Sequence, residues 1–335
     1  MGDKTTEERI MIREVTGPQI DIIRDLSLVT PPGYLEIGPE NVLLPSFYAK
    51  WQSKYTSFPV YPDDVWVVTF PKSGTTWTQE VVWCLVKDTK SPEASLEMMK
   101  RFPFLELDTI RPPTDENFPF EKTCDVTQLT STWDIIEKLK APRTIKSHLP
   151  KELLPKQLWN VKPKIVYVCR DPRDACVSFY FHSVRHQGFH GTINQFVDIF
   201  LDDKMYYSPY WRHVLNFWKM RHEEHILFLR YEDMKKDLAA IVRQVANFLG
   251  KEVDEEQVAW LTNHCSFSEM KNNPATNNAT YLTPPTEESK KIKFMRNGKV
   301  GDWRNHLNKE QLKAFKTWTL QFLEGSDFPY YQDYD

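Results

Sequence analysis

The stretch from residue 65 to residue 87 constrains the fold of this chain more than any other part of the sequence. Residues 65 to 70 form a compact apolar run that Pro71 and Gly74 close, a pattern typical of a buried central strand. Residues 76 to 87 then carry apolar side chains at helical spacing. The sequence therefore predicts a strand, a tight loop and a helix in direct succession.

The loop of this unit has the chemistry of a phosphate-binding site. Successive backbone N–H groups from Ser73 to Thr76 can converge on phosphate oxygens, and the positive end of the following helix adds to their attraction. Gly74 permits close backbone approach, Thr75 adds a hydroxyl, and Lys72 adds a mobile positive charge. Because Lys72 precedes Gly74, the loop is not a Walker A sequence, in which the lysine follows the last glycine. The alternative is an ordinary tight turn with an exposed lysine.

Two further apolar runs end in polar residues. Residues 165 to 169 lead into Arg170, and residues 226 to 230 lead into Tyr231. Segments with helical spacing lie between them, so the pattern predicts a single α/β domain with a central parallel sheet flanked by helices. Ligands of such sheets bind beyond the carboxyl ends of the strands, which predicts one shared site.

Composition excludes several other classes of protein. The formal net charge of −3 gives no overall basic field for nucleic acid, so any anion site must be built locally. No apolar stretch approaches the ~18 residues that a membrane span needs. The cysteines are odd in number and include no CxxC pair, which favours a reduced, cytoplasmic protein; they are Cys84, Cys124, Cys169, Cys176 and Cys265.

Taken together, the motifs resemble the cytosolic sulfotransferase family, whose donor is 3′-phosphoadenosine-5′-phosphosulfate (PAPS). The resemblance implies a P-loop-like fold, with residues 1–44 as an N-terminal extension that packs on a sulfotransferase domain of residues 45–335. Its motifs occur in family order, and they are PKSGTTW (71–77), KSHLP (146–150), CRDPRDACVS (169–178), YED (231–233), FMRNG (294–298) and GDW (301–303).

The resemblance implies four catalytic residues. A hydroxyl acceptor must lose its proton as it attacks sulfur, and the imidazole of His148 titrates near neutrality, so His148 is the predicted general base. Lys146 points the same way on an extended segment and is implied to stabilise the transferring group. Lys72 would neutralise the bridging oxygen of the donor. Ser178 is implied to contact the 3′-phosphate and to restrain Lys72.

The resemblance also implies the nucleotide contacts. Arg170 is matched to the 3′-phosphate, which a guanidinium can bind with two hydrogen bonds. Its alternative role is a surface ion pair with Asp171 or Asp174. Trp77 is matched to the adenine stack and Tyr231 lies nearby, with core packing as their alternative. The other implied nucleotide-binding residues are Ser73, Gly74, Thr75, Thr76, Cys265, Ser266, Phe267, Phe294, Met295, Arg296, Asn297 and Gly298.

The acceptor pocket is predicted to be apolar, with Tyr48, Phe104 and Leu107 in its wall and His148 at its end. Such a pocket favours a phenol, a steroid or a retinoid-like alcohol. Residues 91 to 145 are rich in proline and phenylalanine, so they form either a packed surface excursion or a lid. Their length resembles the insect branch of the family, including retinol dehydratase, which uses PAPS to eliminate water from an allylic alcohol.

Several alternatives stay open. Asn297 stands where the family usually has lysine and Cys265 where it has threonine, which leaves a non-catalytic lipophile-binding protein as a rival. A magnesium-dependent phosphotransferase is the second rival. Residues 304 to 313 match the family's dimer motif poorly, so a homodimer is an open expectation. His222-Glu223-Glu224-His225 lacks HExxH spacing, so no metal site is predicted.

Overall fold

The computed structural model describes residues 10–110, 131–277 and 284–329. Two sheets organise them. The first is antiparallel, in the order β1 (Ile12–Val15), β2 (Tyr34–Ile37) and β3 (Val42–Pro45). The second is parallel, in the order β5 (Thr144–Ser147), β4 (Val65–Thr69), β6 (Lys164–Cys169) and β7 (Ile226–Arg230). The predicted α/β class with a central parallel sheet is confirmed.

Helices precede, connect and follow the parallel strands. Short 3₁₀ turns occupy Pro92–Ser95, Lys151–Leu153 and Asp302–Asn305. The α-helices in the described ranges are α1 (Pro18–Asp25), α2 (Tyr48–Thr56), α3 (Thr75–Val86), α4 (Met98–Arg101), α5 (Leu107–Ile110), α6 (Thr132–Lys138), α7 (Gln157–Val161), α8 (Pro172–Gln187), α9 (Ile193–Leu201), α10 (Tyr210–Lys219), α11 (Tyr231–Lys236), α12 (Leu238–Phe248), α13 (Glu255–His264), α14 (Phe267–Asn272), α15 (Glu287–Lys291) and α16 (Lys309–Leu323).

The parallel sheet separates two apolar clusters. Alternate side chains of a strand point to opposite faces, so Trp66 and Val68 of β4 join the larger cluster. Val65 and Val67 join the smaller one. All four are 5% exposed or less, and each such side chain contributes roughly 1.5–3 kcal/mol of transfer free energy. Burial on both faces explains why this strand has a continuous apolar run.

The first part of the chain packs against the same core. Leu43 and Leu44 of β3 are buried in the larger cluster. The Leu43 N–H donates to the Ser208 carbonyl, and the Tyr207 N–H donates to the Leu43 carbonyl. Strand β3 crosses the predicted boundary between residues 44 and 45. Residues 1 to 9 of the predicted extension lie outside the described residues.

The proline- and phenylalanine-rich segment covers the β5 edge of the sheet. Lys146 N–H donates to the Pro103 carbonyl at 2.9 Å, and Leu105 N–H donates to the Lys146 carbonyl at 2.8 Å. Phe104 thus pairs in parallel with Lys146. The central part of the predicted lid, residues 111 to 130, lies outside the described residues.

No helix within the described ranges is long and apolar enough to cross a membrane.

Candidate active site

The phosphate-binding loop links β4 to α3 through two left-handed residues. Lys72 has φ 67° and Gly74, the N-cap of α3, has φ 106°. A Cβ on Gly74 would lie 2.8 Å from Cδ2 of Tyr231. Glycine is therefore required at position 74 for two reasons, because a side chain would strain the backbone and collide with the Tyr231 ring.

Basic side chains converge on this loop. Burial is the main cause that lowers the pKa of Lys72 to about 7, and the positive charges of Lys146, Arg170 and Arg296 lower it further. Burial also lowers the pKa of Lys146 to about 8, and Glu106 partly offsets that effect. A local cationic site thus forms in a chain of net negative charge, and an anionic ligand would stabilise its charged form.

His148 follows β5 directly and is held in one tautomer. Its Nδ1 lies 2.8 Å from the Thr69 carbonyl oxygen. Because a carbonyl can only accept, Nδ1 carries the proton and Nε2 is the unprotonated nitrogen. Burial, followed by the charge of Lys146, holds the pKa of His148 well below its usual value. His148 is therefore a neutral base at physiological pH, and its side chain lines the cavity described below.

Glu106 supports His148 from the neighbouring segment. Its Oε1 accepts from the His148 backbone N–H at 2.6 Å, and its Oε2 accepts from the Ser147 hydroxyl at 2.8 Å. On the other side, His213 Nε2 donates to the His148 carbonyl at 3.0 Å. Burial raises the pKa of Glu106 to about 7. No sequence motif assigned Glu106 a role; its only signal was an acidic residue inside an apolar stretch.

Lys72 has a hydrogen-bond partner that the sequence analysis also missed. Its Nζ lies 3.2 Å from Nδ1 of His182 and 4.7 Å from the ring centroid of Phe294. Burial and the Lys72 charge hold the pKa of His182 well below its usual value, so its neutral ring accepts a hydrogen bond from the lysine. Ser178 lines the same cavity. The sequence held one signal for His182: it lies four residues after Ser178, and residues four apart share a helix face.

Arg170 lies between the loop and the C-terminal segment. Its Nη1 donates to the Lys72 carbonyl at 3.2 Å and its Nη2 to the Lys299 carbonyl at 3.1 Å. Its guanidinium lies 4.3 Å from the Tyr231 ring centroid. The alternative ion pair with Asp174 is present too, at 3.7 Å. Nε of Arg170 is buried without a partner, so the guanidinium retains a donor for a phosphate.

Two aromatic side chains stand beside Arg170. Trp77 and Tyr231 have ring centroids 5.5 Å apart at an interplanar angle of 71°. Nζ of Lys235 lies 5.3 Å from the Trp77 ring centroid. The indole Nε1 of Trp77 is buried without a protein partner. Its ring is thus part of a cavity wall, where it offers a flat apolar surface.

The C-terminal loop closes this side of the cavity. Arg296 forms an ion pair with Asp302 and stacks 4.2 Å from the Phe181 ring centroid. Asn297 donates from Nδ2 to Asp302 at 2.6 Å. Gly298 has φ 63°, and a Cβ there would lie 2.4 Å from the Phe267 ring. Glycine is required here by both backbone and space.

One cavity of about 320 Å³ joins most of the predicted site residues. Ser73 and Tyr48 are fully buried and do not line this cavity, and Ser266 instead caps α14. The predicted site residues that line it are Lys72, Gly74, Thr75, Thr76, Trp77, Phe104, Leu107, Lys146, His148, Arg170, Ser178, Tyr231, Cys265, Phe267, Phe294, Met295, Arg296, Asn297 and Gly298.

The half of the cavity beyond His148 is aromatic. The Phe104 ring lies 5.1 Å from His148 and the Tyr207 ring lies 5.5 Å from it, both nearly edge to face. Further lining residues without a motif of their own include Phe47, Phe179 and Tyr206. They come from three segments of the chain, and Phe179 lies on α8 directly after Ser178.

This geometry defines a class of protein. A glycine-containing loop and several cations can hold a phosphorylated donor, while a neutral imidazole faces an apolar pocket. That combination suits transfer of a group from a nucleotide to a nucleophile whose proton His148 removes.

Comparison with known proteins assigns the family. The family model described as a sulfotransferase domain matches residues 62–327. Luciferin sulfotransferase of Photinus pyralis is 35% identical over 306 residues, covering 88% of this chain and 81% of that protein. Human Sulfotransferase 1E1 is 34% identical over 272 residues, covering 80% and 86%. The chain belongs to the sulfotransferase family and is a sulfotransferase enzyme.

A solved structure extends the similarity to the fold. Retinol dehydratase in a complex with retinol and PAP superposes with a TM-score of 0.85 at 29% identity. The match covers 96% of this chain and 99% of that one. The similarity thus includes the N-terminal sheet as well as the parallel sheet.

Proposed function

We propose that this enzyme transfers a sulfuryl group from PAPS to the hydroxyl of a small lipophilic acceptor. The acceptor oxygen bonds to sulfur, the bond between sulfur and the bridging phosphate oxygen breaks, and the hydroxyl proton goes to Nε2 of His148. The products are a sulfate ester, PAP and a proton released to solvent. The hydrogen bond from His148 Nδ1 to the Thr69 carbonyl carries this proposal, because it leaves Nε2 as the base.

The donor half of the cavity suits PAPS by its charge. Retinol dehydratase, which this chain resembles over nearly its whole length, binds PAP. Lys72 and Lys146 would stabilise the charge that develops on the bridging oxygen and the sulfuryl group. Arg170 and Arg296 would bind the 3′-phosphate, together with Ser178. His182 would position Lys72.

The test is substitution of the base. His148→Ala should lower the PAPS-dependent sulfonation rate by about 10²–10⁴-fold and leave PAP affinity within a few-fold of the wild-type value. His222→Ala replaces an exposed histidine outside the cavity and should keep the wild-type rate. A His148→Ala protein with near-normal turnover would exclude this histidine as the base.

PAPS-dependent dehydration of an allylic alcohol is a second candidate. The superposition on retinol dehydratase and the aromatic acceptor half favour it. In that reaction the sulfate ester loses sulfate and a proton, so the product lacks the elements of water. Mass spectrometry of the product from an allylic alcohol separates an ester from an anhydro compound.

Metal independence is also part of the proposal. Glu80, Cys84 and His264 bring three possible ligands together. Glu80 already pairs with Arg101 at 2.5 Å and with His264 at 2.7 Å, and these bonds occupy both carboxylate oxygens. Activity should therefore survive dialysis against a chelator. A cytoplasmic location and a possible homodimer stay predictions.

A further inference from the structure

The last turn of α8 places two nitrogen-rich side chains in the cavity wall. Arg185 and His186 both line the cavity and are 8% and 6% exposed. The ring of His186 lies 4.4 Å from that of His182, the partner of Lys72. His186 thus lies about one helical turn after His182 on α8, which puts the pair next to the residue that contacts Lys72.

Arg185 differs from the other buried arginines in the described ranges because no carboxylate pairs with it; Arg170 has a carboxylate at 3.7 Å, in Asp174. Arg101, Arg143 and Arg173 each pair with a carboxylate at 2.5 or 2.6 Å. Arg185 donates from Nη1 to the Ile292 carbonyl at 2.5 Å, while its Nε is buried without a partner. Burial lowers the pKa of Arg185, and no acidic residue in the described ranges counteracts it. A buried guanidinium without a carboxylate is costly.

His186 adds unpartnered polar atoms at the same place. Both of its ring nitrogens are buried and have no hydrogen-bond partner in the described protein. Burial lowers the pKa of His186 to about 3, and Lys72 and Arg185 lower it too. The ring is therefore neutral and offers one N–H donor. Leaving such a group unbonded costs about 1–3 kcal/mol, so a ligand that accepts from it gains affinity.

We infer that Arg185 and His186 form a binding site for a carboxylate carried by the acceptor. One carboxylate accepts from Arg185 Nε and from the His186 N–H, while the acceptor hydroxyl points to His148. This inference rests on the proposed function and narrows it, because the preferred acceptor is then a phenol or alcohol that also carries an acidic group.

The experiment compares two acceptors with the same phenol. They are 3-(4-hydroxyphenyl)propionate and its methyl ester, with saturating PAPS. An apolar pocket alone would favour the ester. The wild-type enzyme should instead use the acid with a kcat/KM at least 10-fold higher, mainly through a lower KM, because charge-assisted bonds are the stronger ones.

Substitution of Arg185 then tests whether this residue causes the preference for the acid. Arg185→Gln should lower the ratio of kcat/KM for the acid to that for the ester by 10-fold or more. Arg185→Lys should retain part of the preference for the acid, because lysine keeps the positive charge but lacks the planar guanidinium with its paired N–H donors. Arg243→Gln is the matched control, since Arg243 is exposed, pairs with Glu255 and does not line the cavity; it should keep the wild-type ratio.

Other results would overturn the inference. A higher kcat/KM for the ester would contradict the subsite. So would an equal loss of kcat/KM for acid and ester in Arg185→Gln together with weaker PAP binding, because Arg185 would then serve only to hold the segment around Ile292. Calorimetric binding of acid and ester to the PAP-saturated protein decides the question without turnover. Absence of PAPS-dependent turnover with every acceptor would contradict the proposed function. Tighter calorimetric binding of the acid than of the ester would still support the subsite in that case.

Discussion

The donor and acceptor halves of the cavity are built in different ways. The donor half is built mainly from three short stretches, at residues 72 to 77, 170 to 178 and 294 to 298. Its shape depends on backbone conformation at Gly74 and Gly298. The acceptor half collects side chains from segments far apart in sequence, such as Phe47, Phe104 and Tyr207. A motif can therefore specify the donor, but only the tertiary fold specifies the acceptor.

Gly74→Ala should disrupt the donor half of the cavity and have the largest of the three effects predicted for the two halves. The new Cβ would lie 2.8 Å from the Tyr231 ring at a backbone φ of 106°, and such strain costs on the order of 1–3 kcal/mol. We expect PAP affinity to fall about 10- to 100-fold, measured by calorimetry. Gly250→Ala is the control, because φ is 65° there with no atom within 4 Å. Equal PAP affinity in wild type and Gly74→Ala would contradict the assigned loop.

Phe104→Leu should affect the acceptor half alone. The Phe104 ring packs 5.1 Å from His148 and 4.1 Å from Nζ of Lys146, so its loss removes a wall of the pocket and a cation–π contact. We expect kcat/KM for a phenolic acceptor to fall about tenfold while PAP affinity changes less than twofold. Phe315→Leu, a buried change in α16 outside the cavity lining, should alter neither. A large loss of PAP affinity in Phe104→Leu would mean that the halves are not separable.

PAP binding should take up protons, which is the smallest of these effects. The pKa of Lys72 is about 7 and that of Lys146 about 8, so both are partly neutral at pH 8. Bound phosphate raises both values, so the complex gains on the order of one proton and affinity falls as pH rises from 7 to 9. Calorimetry at pH 8 in two buffers of different ionisation enthalpy measures the uptake. A net release of protons when PAP binds would contradict the predicted proton uptake.

The sequence predicted the parallel sheet well where strands are buried on both faces. The runs of β4, β6 and β7 matched the observed strands within one residue at each end. Strand β5 was not predicted, because its four residues include Thr144, Lys146 and Ser147 and form no apolar run. The antiparallel sheet was missed as well, since its strands have only four residues each.

The site shows the same division. The residues of the phosphate loop come from one motif, and the structure places most of them in the cavity wall. Glu106 was missed because it reaches His148 only through the pairing of Phe104 with Lys146. His182 was missed because its role depends on how α8 faces Lys72. These are contacts between distant segments, which periodicity and spacing do not reveal.

The most direct test of the central claim is a single-turnover measurement with a series of phenols of decreasing acidity. If Nε2 of His148 removes the acceptor proton, His148→Ala should lose about 10²–10⁴-fold in rate with weakly acidic phenols. It should lose much less with phenols that are already ionised at the assay pH. The same loss across the whole series, or no loss at all, would contradict the assignment of His148 as the base.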